Sequence, residues 1–571
     1  MDNRRLRRVA VLASLSLVTA ALGSLAIDAP ATAAGDGHAR AFPHLRQARP
    51  LSHNPLLNGQ NDPASAPEPS VTALCAEELG APNPYRNPAP NVNVILRDTV
   101  VTAGSQTGCA AAQNETTVAV NPSNPRNVVA GSNDYRVFNT RENRNDASGW
   151  AYTSMDSGRT WTNVQLPHLT FQTGATGALS DMDSAGDPAI AFGPHNSVYY
   201  ANIVFSRVNL GSGIVVSASR DGGLTWGEPS IVQLDGVDAN GNGTNTDVFN
   251  DKEWIGVDPH SGAVYVSWTR FDATASPIVV SKSVNGGSTW SARSPVSPTV
   301  ASFTPGGITP FDQGSFPLVG SDGSLFIAYE GAVCKTLACD QAGDHDAVVV
   351  AKSTNGGSSF VNREVAIDYD FPNNPDVGRS TLTGENFRNN SFPSFAIDPT
   401  SNRLYVTWAD DRNGVYDAAG NSVRTNGDVL VSTSANGVQW KAPITLGSAQ
   451  DEVFPAVAAY DGRVAVSYYT RKYDPNGVGL DVGMSTANGI GSLRAARIAR
   501  VTTQTSNPQV QFVALGATGQ VLQGVFIGDY TGLAMGRDLI AHPTWTDFRG
   551  KPTLAGSTPN QEVYSQAVRL R

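Results

Sequence analysis

Arginines recur at one position of a repeating pattern in this 571-residue chain, at the end of the second hydrophobic strand of successive units. Guanidinium groups bind carboxylates through two parallel hydrogen bonds, so converging arginines could recognise an anionic ligand. Each arginine could instead pair with an Asp of a neighbouring unit and lock the architecture. Both interpretations stay open at this point. The candidate ligand-binding residues are Arg136, Arg207, Arg270, Arg412, Arg471 and Arg549.

The fourth unit breaks this series, because Glu330 stands where the other units carry Arg. A residue that departs from a repeated pattern indicates function more strongly than the residues that follow the pattern. Acidic residues also precede the first strand of most units, on the same predicted side. A ring of arginines and carboxylates could therefore meet at one mouth. The acidic positions are Glu115, Asp187, Asp251, Asp312, Asp451 and Asp529, the last followed by Tyr530.

Five copies of one turn sequence indicate which elements position these residues. The copies recur at intervals of roughly 65 to 80 residues, and such fixed-period self-similarity predicts a repeat architecture. In each copy an Asp or Asn can accept hydrogen bonds from the turn, Gly tolerates positive φ, and an aromatic residue can pack between sheets. We call these segments the repeat turns: Ser154–Trp161, Ser219–Trp226, Ser283–Trp290, Ser353–Phe360 and Ser434–Trp440.

The copy Ser219–Trp226 reads S-x-D-x-G-x-T-W and resembles the Asp boxes of the sialidase-type β-propellers. In that family the boxes lie on the face away from the substrate. The resemblance therefore implies structural roles for Asp156, Asp221, Asn285 and Asn355. Abundant Gly and Pro and many short strand patterns agree with an all-β chain. We expect a seven-bladed β-propeller with Asp-box turns, with six blades as the alternative.

The last of the seven blade-like units has only three predicted strands. The segment 92–96 is the predicted fourth strand, which would close the ring and leave no exposed edge. The opening strands are expected near Glu115, Asp187, Glu253, Ser315, Ser391, Val453 and Val525.

The family resemblance also implies catalytic roles. A Tyr–Glu pair would form the nucleophile, for which Tyr530 and Glu330 are the candidates, since Glu can take the phenol proton. Asp146 stands where the family places its acid/base, and Asp134 competes with it. Three arginines would clamp the substrate carboxylate, but the strand at Glu115 lacks the family's first arginine, so one clamp position is unassigned.

These observations predict a secreted, sialidase-like propeller that hydrolyses or binds an acidic-sugar glycan at its central mouth. Two alternatives remain open. One is a non-catalytic propeller that binds glycans or cell-wall polymer, and the missing arginine favours it. The other is a uronate polysaccharide lyase on the same scaffold, with His345 or His168 as the base.

The N-terminus defines the predicted domain organisation. Residues 1–34 combine arginines, an apolar run and a small-residue cleavage site, and they predict a signal peptide for Sec or twin-arginine export. Residues 35–89 are a Pro- and Asn-rich leader, and residues 90–571 form the propeller. Removing residues 1–34 takes away four Arg and two Asp, so net charge moves from −10 to about −12, which argues against nucleic acid. We expect a monomer without a membrane span.

The four cysteines of an exported chain predict two disulfides. Cys334 and Cys339 are close enough to staple one loop, which leaves Cys75 with Cys109. Zinc binding is the rival interpretation, but no CxxC pair supports it.

One loop resembles a calcium-binding loop. Asp238, Asn240 and Asn242 place oxygen ligands at alternate positions before a Gly, although Phe249 replaces the bidentate Glu. Asp251 is a candidate late ligand, and an ordinary Asn/Gly-rich loop is the alternative. We expect no required cofactor, with structural calcium at this loop.

Overall fold

The structure is a computed structural model. It describes residues 90–96, 101–102, 105–106, 111–142, 144–246, 248–272, 275–298, 309–336, 339, 341–374, 379–418, 420–510, 513–515, 521–550 and 560–570. The predicted signal peptide and leader lie outside the described residues, as do Cys75 and Cys109.

Seven antiparallel sheets follow one another along the chain. The described part begins with β1 (Val92–Asn93), β2 (Val101–Thr102) and β3 (Ser105–Gln106). Blade 1 contains β4 (Gln113–Val120), β5 (Val128–Asn139), β6 (Arg144–Ser154) and β7 (Thr162–Gln165), and β2 and β3 extend its sheet beside β5. Blade 2 contains β8 (Ser184–Phe192), β9 (Val198–Phe205), β10 (Ser212–Ser219) and β11 (Ser230–Asp235). Blade 3 contains β12 (Phe249–Val257), β13 (Val264–Phe271), β14 (Ile278–Ser283) and β15 (Ser294–Pro295).

The second half of the ring repeats this plan with insertions. Blade 4 contains β16 (Asp312–Val319), β17 (Leu325–Val333), β18 (His345–Ser353) and β19 (Val361–Ile367), followed by the hairpin β20 (Asn373–Asn374) and β21 (Arg379–Ser380). Blade 5 contains β22 (Ser394–Asp398), β23 (Arg403–Asp410), β26 (Asp428–Ser434) and β27 (Ile444–Leu446), with the hairpin β24 (Val415–Tyr416) and β25 (Ser422–Arg424) inserted. Blade 6 contains β28 (Glu452–Tyr460), β29 (Arg463–Thr470), β30 (Asp481–Asn488) and β31 (Ala499–Arg500). The hairpin β32 (Val513–Leu515) and β33 (Val521–Gln523) precedes blade 7, which contains β34 (Gly532–Met535), β35 (Ile540–Gly550) and β36 (Asn560–Ser565), with β37 (Val568–Arg569) beside β35.

Helices are few and short. The described residues contain one α-helix (Ile490–Leu493) and the 3-10 turns Phe171–Thr173, Gly177–Leu179 and Pro508–Val510. No helix in the described ranges has the length and apolar character needed to cross a lipid bilayer.

The ring closes as the sequence predicts, through the N-terminal strand. Strand β1 pairs antiparallel with β36, with Val92 opposite Ser565, and supplies the fourth strand of blade 7. The first strands of consecutive blades contact each other all the way around, including β34 with β4. These first strands therefore surround one axis, and the prediction of seven blades is confirmed. The opening strand predicted at Val525 begins instead at Gly532, and Asp529 in the segment before it pairs with Lys252 at the axis.

The repeat turns connect the third and fourth strands of blades 1 to 5. In the second copy, the Asp221 carboxylate accepts hydrogen bonds from the backbone of Leu224 and Thr225 and from the Thr225 hydroxyl. In the third copy, the Asn285 side-chain amide donates to the Thr289 hydroxyl and accepts from the Thr289 backbone N–H. The Asp221 and Asn285 side chains therefore form these hydrogen bonds within their own turns.

Strand direction assigns the loops to two faces. The repeat turns and the turns between first and second strands share one face. The loops between second and third strands, together with the connections between blades, form the other. We call this second face the mouth face. The Cys334–Cys339 disulfide lies in the mouth-face loop of blade 4, as predicted.

Candidate functional site

A bulge near the start of the first strand recurs around the propeller axis. The register of the first two strands shifts at this point in blades 1, 2, 3, 4 and 6. Several bulge residues have positive φ, among them Glu115, Asp187 and Lys252. In each blade, the residue two positions before the first regularly paired residue of the first strand occupies an equivalent position. The seven positions are Glu115, Asp187, Lys252, Gly314, Phe392, Phe454 and Tyr530.

The charged part of this ring is an ion cluster around Lys252. Its ammonium lies 2.6 Å from Asp187, 2.8 Å from Asp529 and 3.3 Å from Glu115. Burial alone would lower the pKa of Lys252, but these three carboxylates and Asp251 together raise it well above its usual value. The cluster therefore holds a buried cation that bridges blades 1, 2, 3 and 7. Its Asp529 also accepts a bidentate pair from Arg388.

The aromatic part of the ring lines a small pocket of about 40 Å³ on the axis. Trp254 stacks on Phe316 with ring centroids 4.4 Å apart. Tyr530 meets Trp254 edge-on at 5.0 Å. The pocket also borders Lys252 and Asp529, so an apolar chamber adjoins the ion cluster.

The predicted nucleophile Tyr530 is partly buried in this chamber, and its hydroxyl donates to the Pro188 carbonyl at 3.2 Å. Burial raises the pKa of Tyr530 well above its usual value, and Glu115 and Asp187 add to this effect. The environment thus disfavours the phenolate. The acidic neighbours of Tyr530 at the axis are Glu115, Asp187 and Glu253.

Glu330, the predicted partner of Tyr530, is grouped with two further acids. Its carboxylate oxygen and those of Asp368 and Asp370 all lie within 4.8 Å of one another, and the three residues are buried. Glu330 comes from β17, whereas Asp368 and Asp370 follow β19 in the connection to blade 5. Carboxylates at this spacing repel one another unless a basic side chain, a bound cation or a shared proton offsets their charge. The Arg412 guanidinium is near enough to Asp368 that, against the opposing effect of burial, this carboxylate adds to Asp410 in raising the pKa of Arg412. We call the group of three acids the acidic triad, and its spacing would suit a bound metal ion or a shared proton.

Most of the predicted ligand-binding arginines are engaged in close ion pairs. Four of these pairs join residues of one strand end or one blade, and the Arg207–Asp146 pair crosses between blades 1 and 2. Arg471 is held by both Asp451 and Glu385, at 2.6 and 2.7 Å. The engaged pairs are Arg136–Asp134, Arg207–Asp146, Arg412–Asp410, Arg471–Asp451 and Arg549–Asp547.

Arg270 differs from the other five arginines. It makes one contact with Asp272 at 3.3 Å, and its Nε atom has no hydrogen-bond partner among the described residues. Its side chain is 18 % exposed. Arg270 is therefore the least tightly paired of the six arginines among the described contacts.

The two predicted acid/base candidates are carboxylates of blade 1 engaged in ion pairs, Asp134 with Arg136 of the same blade and Asp146 with Arg207 of blade 2. Asp146 is fully buried and accepts from Arg207 Nε at 2.9 Å and from Asn139 at 2.9 Å. Asp134 accepts from Arg136 and from the Tyr152 hydroxyl at 2.7 Å. Neither carboxylate belongs to the acidic triad.

The histidines proposed as lyase bases each meet a glutamate. His345 Nε2 lies 3.2 Å from Glu364. This contact, ahead of the opposing effect of burial, raises the pKa of His345. His168 is exposed and pairs with Glu228 at 2.6 Å.

The loop predicted to bind calcium folds back on itself. The Asp238 carboxylate accepts hydrogen bonds from the backbone of Asn240 and Asn242 and from the Asn242 amide. These bonds lower the pKa of Asp238. Asp251, the candidate late ligand, is instead buried beside Lys252, whose backbone it accepts from.

Sequence reasoning missed Lys252, Arg388, Asp368 and Asp370. Lys252 occupies the same bulge position as Glu115, so aligning the opening strands would have exposed it. The other three lie in connections between blades that have no counterpart in the repeat, and no spacing signal points to them.

Comparisons with known proteins give distant similarities. No protein-family model matches the sequence, and no curated protein matches it significantly. A crystal structure of a protein of unknown function from Dyadobacter fermentans is 14 % identical, covering 70 % of this chain and 97 % of the other at a TM-score of 0.41. The Hadza microbial sialidase Hz136 is 13 % identical, covering 74 % of each chain at 0.39. An ulvan lyase is 10 % identical, covering 80 % and 94 % at 0.41. At these levels the site must be judged from its own residues.

Proposed function

We propose that this protein is a carbohydrate-active enzyme that cleaves a glycosidic bond of an acidic-sugar glycan held at the mouth face. The observation that carries the proposal is the acidic triad of Glu330, Asp368 and Asp370. When three buried carboxylates share a proton, one is a protonated acid while another stays ionised. Glycoside hydrolysis uses such a pair, with the acid protonating the leaving oxygen and the carboxylate acting as base or nucleophile.

Arg270 supports an anionic sugar as the ligand. Its described ion-pair contact, 3.3 Å to Asp272, is the longest of the six, so its guanidinium donors are the least committed. A carboxylate or sulfate on the sugar can take these donors without breaking a buried ion pair. The other five arginines would each lose a close carboxylate partner.

Glycan binding without cleavage is the second candidate. The engagement of five arginines and the unfavourable environment of the Tyr530 phenolate support it. In this case the mouth face would hold the same ligand, and the acidic triad would bind a cation instead of exchanging protons.

The test is a screen of the purified protein against sialosides, uronate polymers and neutral glycans, with product analysis. We expect a released sugar from one acidic glycan and loss of at least a hundredfold in kcat for Glu330→Gln and Asp368→Asn. Asp322→Asn is the matched control, because it lies in the turn between the first two strands of the same blade, on the opposite face.

The outcomes separate the candidates. Retention of a glycan without products, or activity that survives in both triad variants, rejects the hydrolase. A product with a new ultraviolet-absorbing double bond indicates a lyase. Activity or retention that is lost on chelation and restored by Ca²⁺ indicates that the acidic triad holds a cation. Arg270→Gln should raise KM for the acidic glycan far more than for a neutral one.

A further inference from the structure

The connection from blade 4 to blade 5 crosses the mouth face, and we call residues 381–393 the strap. It is anchored at the axis by Arg388, whose guanidinium donates to both oxygens of Asp529 at 2.7 and 2.5 Å and stacks over Phe526. Asn390 adds hydrogen bonds to the Asp529 backbone and side chain, each 3.1 Å long. Asp529 is itself bound to Lys252. This end of the strap is thus fixed to the axial ion cluster.

The other end of the strap is tied to blades 5 and 6. Thr383 and Thr425 exchange two hydrogen bonds between backbone and side chain. Glu385 pairs with Arg471, whose guanidinium also donates to the Thr383 carbonyl. The strap is therefore held at several points on three blades and is a rigid part of the mouth face.

Two residues within this well-anchored segment have unused polar groups. Asn389 and Ser391 are 2 % and 1 % exposed. The side-chain nitrogen and oxygen of Asn389 have no hydrogen-bond partner among the described residues. The same is true of the Ser391 hydroxyl. Their neighbours Arg388 and Asn390 both bind Asp529, and alternation of this kind is typical of an extended chain whose successive side chains point to opposite sides.

These unused groups are energetically unfavourable for the free protein. A buried donor or acceptor without a partner costs about 1–3 kcal/mol, and native proteins leave few of them. Here three such atoms lie at alternate positions of a segment whose other side is fully engaged. The arrangement is expected where a ligand supplies the missing partners.

The strap ends beside the strand pair that carries Glu330. The Phe392 ring packs so closely on Gly314 that a Cβ there would lie 2.5 Å from the ring. Gln313, the residue before Gly314, is paired with Glu330 across β16 and β17. Ser391 therefore precedes a residue that lines the axial pocket and packs on the strand pair carrying Glu330.

We propose that Asn389 and Ser391 bind hydroxyl groups of the glycan at the mouth face. An amide and a hydroxyl together offer donors and acceptors without charge, which matches sugar hydroxyls. The proposal rests on the proposed function, since it assigns the polyhydroxylated part of that ligand to the strap. Charge recognition stays with Arg270 and bond cleavage with the acidic triad.

The experiment compares Asn389→Ala and Ser391→Ala with Asn390→Ala as the matched control from the same segment. Melting temperature and glycan affinity are measured for each variant, using the glycan found active in the screen. Asn389→Ala and Ser391→Ala should keep or raise the melting temperature of the free protein, because they remove unpaired groups, and should weaken glycan binding about tenfold or more. Asn390→Ala should lower the melting temperature, because it removes bonds to Asp529.

Each result decides the matter. If the wild type binds the glycan and both variants bind it equally well, the strap proposal is wrong while the proposed function stands. If Asn389→Ala and Ser391→Ala destabilise the free protein as Asn390→Ala does, their role is structural and the proposal is again wrong. If the wild type binds no glycan of the panel, the proposed function falls and this inference falls with it.

Discussion

The Lys252 ammonium lies 2.6 Å from the Asp187 carboxylate, which belongs to the preceding blade. Both residues occupy the same bulge position of their first strands and have positive φ. The left-handed conformation is costly for residues other than Gly, and it persists where the surroundings impose it. Here the imposed conformation brings a Lys and an Asp of adjacent blades into one ion cluster at the axis.

Replacement of Lys252 should therefore weaken the ring. Lys252→Met leaves Asp187 and Glu115 without their paired cation and leaves Asp529 with Arg388 alone, and we expect a loss of about 3–5 kcal/mol at pH 8. At pH 5 the loss should be smaller, because protons can replace the missing charge. Urea unfolding at both pH values measures this, with the exposed Lys441→Met as control. An equal loss at both pH values would contradict the account.

Asn91 makes a specific contribution to ring closure. Its side chain is fully buried, donates to the Val501 carbonyl and to Gln566, and accepts from Thr503 and Arg549. These residues belong to blades 6 and 7, so one side chain joins the N-terminal strand to the end of the propeller. Asn91→Ala should lower stability by about 2–4 kcal/mol, since several buried groups lose their partner.

Limited proteolysis would show whether the lost stability of Asn91→Ala comes from a weakened closure of the propeller ring. In Asn91→Ala, cleavage should begin near the N-terminal strand and in blade 7, before the other blades are cut. The exposed Asn476→Ala is the control, because its side chain lies in a surface turn. A variant that unfolds with unchanged cleavage sites would show that closure does not depend on Asn91.

The fold could be predicted because its signal is repeated. Five copies of one turn set the period, and each has residues whose bonds stay within the turn, so the pattern survives without knowledge of long-range contacts. The ion pairs of Arg136, Arg412 and Arg549 differ from the pairing with a neighbouring unit that the sequence analysis considered. The Asp two residues before each Arg accepts from both the backbone N–H and the guanidinium of that Arg.

The site was less accessible to sequence reasoning. Glu330 could be singled out because it interrupts a series. Asp368, Asp370 and Asn389 occur once each, in a connection between blades, and they reach the mouth face only through the path of that connection. Residues without a repeated counterpart give no periodic signal, and their convergence depends on tertiary structure.

His542 should make the protein sensitive to acid. It is fully buried in β35, and neither ring nitrogen has a hydrogen-bond partner among the described residues. Burial lowers the pKa of His542 to about 4, against an opposing effect of Asp538. The unfolded chain therefore binds a proton below pH about 6.5 that the folded chain does not, so stability falls as pH drops from about 6.5 to 4.

The expected size of this effect is about 3 kcal/mol across that range, since one pKa unit corresponds to about 1.4 kcal/mol. His542→Leu should remove this part of the acid sensitivity, whereas the exposed His260→Gln should keep it. Denaturant midpoints at pH 7, 5.5 and 4 measure the difference. If the denaturant midpoints of the wild type and His542→Leu fall equally between pH 7 and 4, His542 is not the source of this acid sensitivity.

The repeat turns should contribute to stability and not to ligand binding. Burial opposes ionisation of Asp221, but hydrogen bonds from Thr225, Ser219 and Leu224 hold its pKa below the usual value. Asp221→Ala removes the acceptor of four hydrogen bonds and should lower the melting temperature, while glycan affinity at the mouth face stays unchanged. Asp221→Asn is the matched variant, because blades 3 and 4 build the same turn with Asn285 and Asn355. It should recover most of the lost stability, and a drop in glycan affinity in either variant would place the ligand on the repeat-turn face.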